Sequence, residues 1–553
     1  MELYFDRTDL SDAVRTALSK YALERLRWSH ARILIVIDAG ISLNAGAGAF
    51  GPERIVRLLR ESTVGCMHFH VDTADHSNAA FSIVANPVGA NPKYLGFKFN
   101  STLPNNNLVI DQYDEIWCYG FGGPNTNDDE LAALTTWMNA KKGGVFATGD
   151  HDTLGQSLCN RIPRVGTMRA WTNAQGVPPI DGPTRIDTNR PFTADEIAGA
   201  EVIEFGREGD TLPQQIRWAT WMSHVHWPFR LHRRPHPVLC HPTLGPIDVM
   251  PDHPHEGVVF DHVAQPDVGI DPITLTNNYN FNGVAGAEYP APGGVQPLPL
   301  VIAYGNTLAD PPLQHAKGDS PAKRFAMISV YDGHRADVGR VATDSTWHHW
   351  FNLNIAQIEA AGGDHWEKIK RYYLNLAVWL APPHIRRGCF HLHALEAVFT
   401  YPGIEELYVK RPTLELGASF REYLLHWHGP CWVTQWYLDL IGTLSVKFRE
   451  RWIDRYILEP HPRKPFPPQP PEPCLSCPSP ELFETMVLGG VIRSVLETIK
   501  VEQFDEQLAR VGELKAEVLE KAMHEGALRG LQELSAMHEK SLEQSKQVLG
   551  DVQ

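Results

Sequence analysis

The chain has 553 residues, 43% of them hydrophobic and 21% charged, with a formal charge of −15. That is an ordinary globular balance, long enough for two or three domains. The acid excess, with no basic stripe or tail, argues against nucleic acid or an anionic membrane as partner, and no apolar run reaches the length of a membrane span. Residues 1–7 lack the basic start and apolar core of a signal peptide. The eight cysteines are scattered, several of them in apolar runs, where they read as small buried thiols. A reduced, cytoplasmic setting is therefore expected.

Residues 9–29 carry helical spacing through Leu10, Val14, Leu18, Leu23 and Leu26. Strands and helices then alternate. The unbroken apolar run 33–37 predicts a strand buried on both faces. A helix over 50–59 follows, with Pro52 suited to its first turn. Strands are expected over 66–71 and 113–121, then a helix over 129–139. The strand 144–148 feeds the turn Gly149-Asp150-His151-Asp152-Thr153-Leu154-Gly155 and a helix start at 156–159. Pro- and Gly-rich stretches between about 160 and 300 predict long loops. Further strands are expected over 201–205, 300–304, 324–331 and 341–343, and an amphipathic helix over 366–380.

This pattern predicts an α/β fold, a doubly wound, mostly parallel, flavodoxin-like sheet with long loop insertions over 31–382. A mainly helical region follows: a small module over 383–459, a stiff Pro-rich linker over 460–480 and an amphipathic helical tail over 481–553. Gly526 and Gly530 argue against one long uninterrupted coiled coil in that tail. Its helices suit packing on their own protein or on another copy, so a homo-oligomer or protein partner is expected there.

Four constellations could carry chemistry. Asp150, His151 and Asp152 lie in a strand-to-helix turn, and such turns fall at the carboxyl edge of a sheet, where open α/β proteins bind ligands. Capping needs one polar residue, and this turn offers three. His253, His255 and Glu256 sit on a Pro-broken loop and could converge with Asp150 on a divalent metal, for which carboxylate and imidazole suit zinc, manganese or iron. Asp344 and His348 fall just past the last strand, where an imidazole could act as general base. His334 lies in a polar turn nearby and is a further substrate-binding candidate, as are Arg164 and Arg169, which could grip an anionic group. Gly46, Gly48 and Gly51 outline a dinucleotide fingerprint. Residues 38–45 separate them from the strand, so Asp38, directly after it, is the better site candidate. Cys474 and Cys477 form an isolated CxxC in the linker with nothing to support zinc or redox chemistry.

The order of strands, the strand-turn-helix at 144–159 and the late histidine together resemble the class I glutamine amidotransferase-like superfamily, especially its trehalose-utilisation-type branch. The stretch 163–171 looks like uncharacterised bacterial members. The resemblance covers roughly 31–382. It implies a nucleophile's place at Asp150 or His151 and a base's place at His348. The turn has no cysteine, Cys159 lies well down the next helix, and His349 and Trp350 stand where the family has a glutamate. The resemblance therefore implies fold and site location, with glutamine hydrolysis not expected. The leading expectation is an intracellular, hydrolase-like enzyme acting on a small or polar substrate, with Asp150, His151, Asp152, Asp344 and His348 as catalytic groups. Two alternatives stand beside it: a non-catalytic binding or assembly protein on the same fold, and a dinucleotide-dependent enzyme.

Overall fold

The computed structural model describes residues 30–85, 87, 91–150, 153–172, 175, 213–226, 230–251, 257–263, 271–306, 324–400, 411–456, 479–499 and 515–552. Side-chain alternation along the first strand, β1 (His30–Asp38), sets the architecture. Its residues 33–38 are all buried, but they face two different cores. Ile33, Ile35 and Ile37 join one apolar cluster with the helices α1 (Glu53–Glu61) and, later, α4 (Gly363–Leu380). Leu34 and Val36 join a second with α2 (Asp128–Ala140). The period-2 pleat thus places helices on both faces of the sheet.

The parallel core contains β1, β3 (Met67–His76), β4 (Glu115–Tyr119), β5 (Gly144–Thr148) and β8 (Val341–Asp344), in the spatial order β3-β1-β4-β5-β8. β2 (Thr63–Val64) folds back on β3 as a hairpin. Beyond β8 the sheet changes direction. β7 (Arg324–Tyr331) pairs antiparallel with β8, and β6 (Leu300–Asn306) pairs antiparallel with β7. Short strands at 217–218 and at 82–83 and 94–95 close its two sides. The sheet is therefore mixed, a correction to the mostly parallel arrangement expected. The reason is the short link over 332–340, which turns through a 3₁₀ segment; a parallel crossover needs a dozen or more residues. The strand expected over 201–205 and the helix over 9–29 lie outside the described residues.

α2 begins at a capping box, in which Asn127 and Glu130 each accept from the other's backbone N–H. α3 (Asn352–Ala361) and α4 follow β8 and cover the sheet. Pro383 does not merely end α4 but opens the next helix, α5 (Pro383–Thr400), at a position where a missing N–H costs nothing. Then come α6 (Thr413–His428), α7 (Pro430–Leu444), α8 (Val446–Tyr456), α9 (Pro480–Ile499) and α10 (Ala516–Val552). One apolar cluster runs without a break from Ile33 through Leu395 to Val491, so the helical region shares a core with the sheet.

α10 is one continuous helix of 37 residues, so Gly526 and Gly530 do not interrupt it. They serve contact instead. A Cβ on Gly526 would stand 2.3 Å from the Gly490 carbonyl oxygen, and one on Gly530 would stand 2.2 Å from that of Met486. α9 and α10 meet backbone to backbone, and the packing gained outweighs glycine's poor helix propensity. No helix among the described residues is long and apolar enough to cross a membrane.

Candidate metal centre and the carboxyl edge of the sheet

The parallel register brings Asp38, Tyr119, Thr148 and Asp344 to one edge. Asp150, two residues beyond β5, is buried there. Its Oδ1 accepts from the Thr346 hydroxyl at 2.8 Å, and its Oδ2 stands 3.5 Å from His348 Nε2. His348 Nδ1 lies 3.0 Å from Asn354 Oδ1. The structure thus brings together Asp150 and His348, two of the site residues expected from the sequence, and adds Asn354 on the far nitrogen.

Asp344 serves the neighbouring histidine. Its Oδ1 lies 2.7 Å from His349 Nδ1, and its Oδ2 accepts from Trp350 Nε1 at 3.0 Å and the Tyr372 hydroxyl at 3.1 Å. His348 and His349, neighbours in the 3₁₀ turn Trp347–His349, take different partners, Asp150 and Asn354 for His348 and Asp344 for His349. Asp38 binds the loop after β4, accepting from the N–H groups of Phe121, Gly122 and Gly123 at 2.7, 3.3 and 3.1 Å. Burial nevertheless pushes its carboxyl pKa up to about 6, against the pull of those three donors.

The two arginines read as anion grips have other duties. Arg169 is fully buried and gives its N–H groups to the carbonyls of Asp344, Ala170, Asp150 and Ser345 at 3.0, 2.6, 2.9 and 2.7 Å. It ties the ends of β5 and β8 together and stacks on Trp171 at 4.4 Å. Burial lowers its pKa to about 10, which leaves it charged. Arg164, at φ 72°, is also fully buried; its N–H meets Glu288 at 2.5 Å and its guanidinium meets Asn139 at 3.2 Å. His334 lies at the opposite edge, between the Lys142 carbonyl at 3.2 Å and Arg386 at 2.9 Å. His151, Asp152, His253, His255 and Glu256 lie outside the described residues, as do Cys474 and Cys477. The glycine loop closes on protein: Asn352 donates to the Asn44 and Gly46 carbonyls and accepts the Arg54 N–H of the first turn of α1 at 2.9 Å. A bound pyrophosphate would need that amide.

A second cluster, at the amino edge of β3, has the donor set of a metal site. Cys66 lies in the two-residue turn between β2 and β3, and His393 and Glu396 lie one turn apart on α5. Cys66 Sγ is 3.5 Å from His393 Nδ1 and 3.2 Å from Glu396 Oε2, and the latter two atoms are 3.9 Å apart. An ion with sulfur at ~2.3 Å and nitrogen or oxygen near ~2.1 Å in tetrahedral geometry sets its ligand atoms about 3.4–3.6 Å apart. These three residues form a cluster able to hold a divalent metal ion.

The surroundings suit that role. His393 is buried and His428 Nε2 stands 2.8 Å from its Nε2, as an outer partner orienting a ligand imidazole would. Burial brings the His393 pKa down to about 4, so its ring is neutral and ready to ligate. Burial, helped by the Glu396 charge, pushes the Cys66 thiol well up, so it stays protonated until a cation displaces the proton. Tyr423 donates to Glu396 Oε2 at 2.5 Å. Gly65 has φ +57°, and a Cβ there would stand 2.3 Å from the His393 ring, so only glycine lets the turn approach this closely. The Glu396 side chain remains 36% exposed, which leaves one side of the cluster open.

Sequence reading missed this cluster, placing Cys66 in a strand and leaving 384–458 without a site. The metal expectation itself holds, on a different set of residues. The local signal present was a helical face bearing His393 and Glu396 at three-residue spacing. No protein-family model matches the chain, nor does any curated protein or solved structure.

Proposed function

We propose that the protein is a metal-dependent enzyme of hydrolase type, with a divalent ion, zinc foremost, on Cys66, His393 and Glu396. The observation that carries this reading is the approach of a thiol from one place in the sequence and an imidazole and a carboxylate from another, to within 3.2–3.9 Å of one another. Thiolate with imidazole favours zinc over magnesium or calcium. Three protein ligands with an open side follow the pattern of catalytic rather than structural zinc. Bound there, the ion would supply Lewis acidity toward a carbonyl or phosphoryl oxygen. Glu396 and the exposed side it borders set the direction of substrate approach. Burial and the Glu396 charge hold the Tyr423 pKa well up, so its hydroxyl keeps its proton and, by donating a hydrogen bond to Glu396 Oε2, holds that carboxylate in place. A thiol nucleophile is the weaker account of Cys66, because its raised pKa disfavours the thiolate that such chemistry needs.

The second reading keeps the sheet's carboxyl edge as the reactive site, with Asp150, His348 and Asn354 in line, and the amidotransferase-like kinship as its background. The parallel strand order, second-first-third-fourth-fifth, supports a doubly wound ancestry of the flavodoxin-like kind. An assembly role for α10 is supported by Met537 and Leu542, exposed at 48% and 55%. Elemental analysis of the purified protein, with hydrolysis of p-nitrophenyl acetate and phosphate, separates the first two readings. One zinc per chain, lost in Cys66→Ala and Glu396→Gln together with activity, supports the metal centre. Metal-free protein, or activity lost only in Asp150→Asn and His348→Ala, overturns it.

A further inference from the structure

Among the described residues, a cavity of ≈ 570 Å³ lies between the sheet's amino edge and the C-terminal helices. That volume falls within the range that binds small organic ligands. The link after β7, the segment 292–295 and the helices α5, α7, α8 and α10 form its walls. Phe390, Trp436, Leu440, Val446 and Met523 make much of its lining apolar.

Its charged rim is cationic, in a chain whose net charge is −15. Arg335, Arg386, Arg387, Lys447 and Arg449 line it. The lining acids are Asp337 and Asp439. Asp337 is turned to solvent and paired with Lys142, and Asp439 is taken by Arg386. Behind the rim, Glu450 is shared by Arg335 at 2.5 Å and Arg449 at 3.1 Å, so that trio keeps a positive charge. Arg387 pairs with Glu520 at 3.2 Å. Lys447 has no acidic partner among the described residues. Trp436 is buried and offers its ring to the lining.

We propose that this cavity binds an organic anion with a flat apolar body, its carboxylate, sulfonate or phosphate group meeting the cationic rim at Arg387, Lys447 and Arg449, and its ring system lying against Phe390 and Trp436. The apolar walls supply burial and the unbalanced cations supply selectivity for charge. The site is separate from Cys66, His393 and Glu396. Trp436 stands between them, 5.7 Å from the His428 ring, so ligand binding does not depend on the metal reading.

The test is a pair of fluorescent probes that differ in one group, 8-anilinonaphthalene-1-sulfonate and its uncharged parent N-phenyl-1-naphthylamine, titrated into the full chain. The sulfonate should bind at one site per chain, about tenfold tighter than the parent, which corresponds to ~1.4 kcal/mol. Lys447→Gln with Arg387→Gln should lower sulfonate affinity about tenfold and leave the parent unchanged, since each charge-assisted contact acts on the anion alone. Val446→Trp, at a position 49% exposed and so tolerant of bulk, should block both probes. Equal affinity of the two probes, or binding indifferent to both the charge variants and Val446→Trp, would overturn the proposal.

Discussion

The two ends of the parallel sheet hold similar residues to opposite effect. At the carboxyl edge the acids are tied into the fold: Asp38 to three backbone N–H groups, Asp344 to His349, Trp350 and Tyr372, and Asp150 to Thr346 with His348 beside it. At the amino edge, Cys66, His393 and Glu396 face one another, with side chains such as Tyr423 and His428 around them. Carboxylates that accept from fixed donors are satisfied and serve stability. Donor atoms of three chemical kinds crowded within ligand distance of one another are poised for a cation. The contrast is thus one of satisfied against convergent groups, and substitutions on either side should break it in different ways.

The largest effect should come from Arg169→Leu. Removing the guanidinium strips four carbonyls at the junction of β5 and β8 of their donors in a dry interior. A loss of ~3–5 kcal/mol in urea unfolding is expected, with zinc content per folded chain unchanged. A variant as stable as the parent would show that the carboxyl edge is not a structural knot. At the other end, Cys66→Ala should change stability by less than about 1 kcal/mol in metal-free protein while abolishing zinc retention. His428→Ala should weaken zinc binding about 10–100-fold through loss of the orienting partner of His393, read by competition with a chromophoric chelator. Unchanged affinity would remove His428 from the site.

The pH dependence of metal binding separates the ligands. Zinc must displace the proton of Cys66, whose pKa burial has pushed well up, so affinity should rise tenfold per pH unit through the neutral range. His393, brought down to about 4, adds a second proton only near and below that pH, where the slope should steepen toward two. A flat profile between pH 6 and 8 would mean that Cys66 is not a ligand.

How much of this was legible in the sequence follows from distance along the chain. The buried run of β1 and the strand-turn-helix at 144–159 are local patterns, so the sheet and its carboxyl edge could be read directly, and with them Asp150 and His348. Strand direction has no local signature; β6 and β7 carry the same apolar runs as their parallel neighbours, and only the short 332–340 link betrays the reversal. Cys66 and His393 are separated by 327 positions. Nothing near a cysteine in a hairpin turn announces a histidine that arrives with α5. Gly526 and Gly530 illustrate the converse error, because propensity counts their cost within one helix and is blind to the second helix they admit.

The smallest effect predicted is also the most direct test of what a satisfied acid means. Asp38 has a folded-state pKa of about 6, raised from its ordinary value by burial. Its neutral form is favoured by folding, so its contribution is fully present below about pH 4 and is lost as pH rises through 6. A rise of that size is worth ~3 kcal/mol at most. Asp38→Asn abolishes that slope. It keeps an acceptor for Phe121 and Gly122 but turns a donor toward the Gly123 N–H, a clash that offsets the relief of an expensive buried charge. The net change near pH 7.5 should therefore be within about 1 kcal/mol, whereas at pH 4.5 the variant should be the less stable of the two. Urea unfolding of both proteins at the two pH values gives the difference of differences. If the gap between them does not move with pH, the Asp38 carboxyl is not held up by burial, and the three backbone donors dominate it instead.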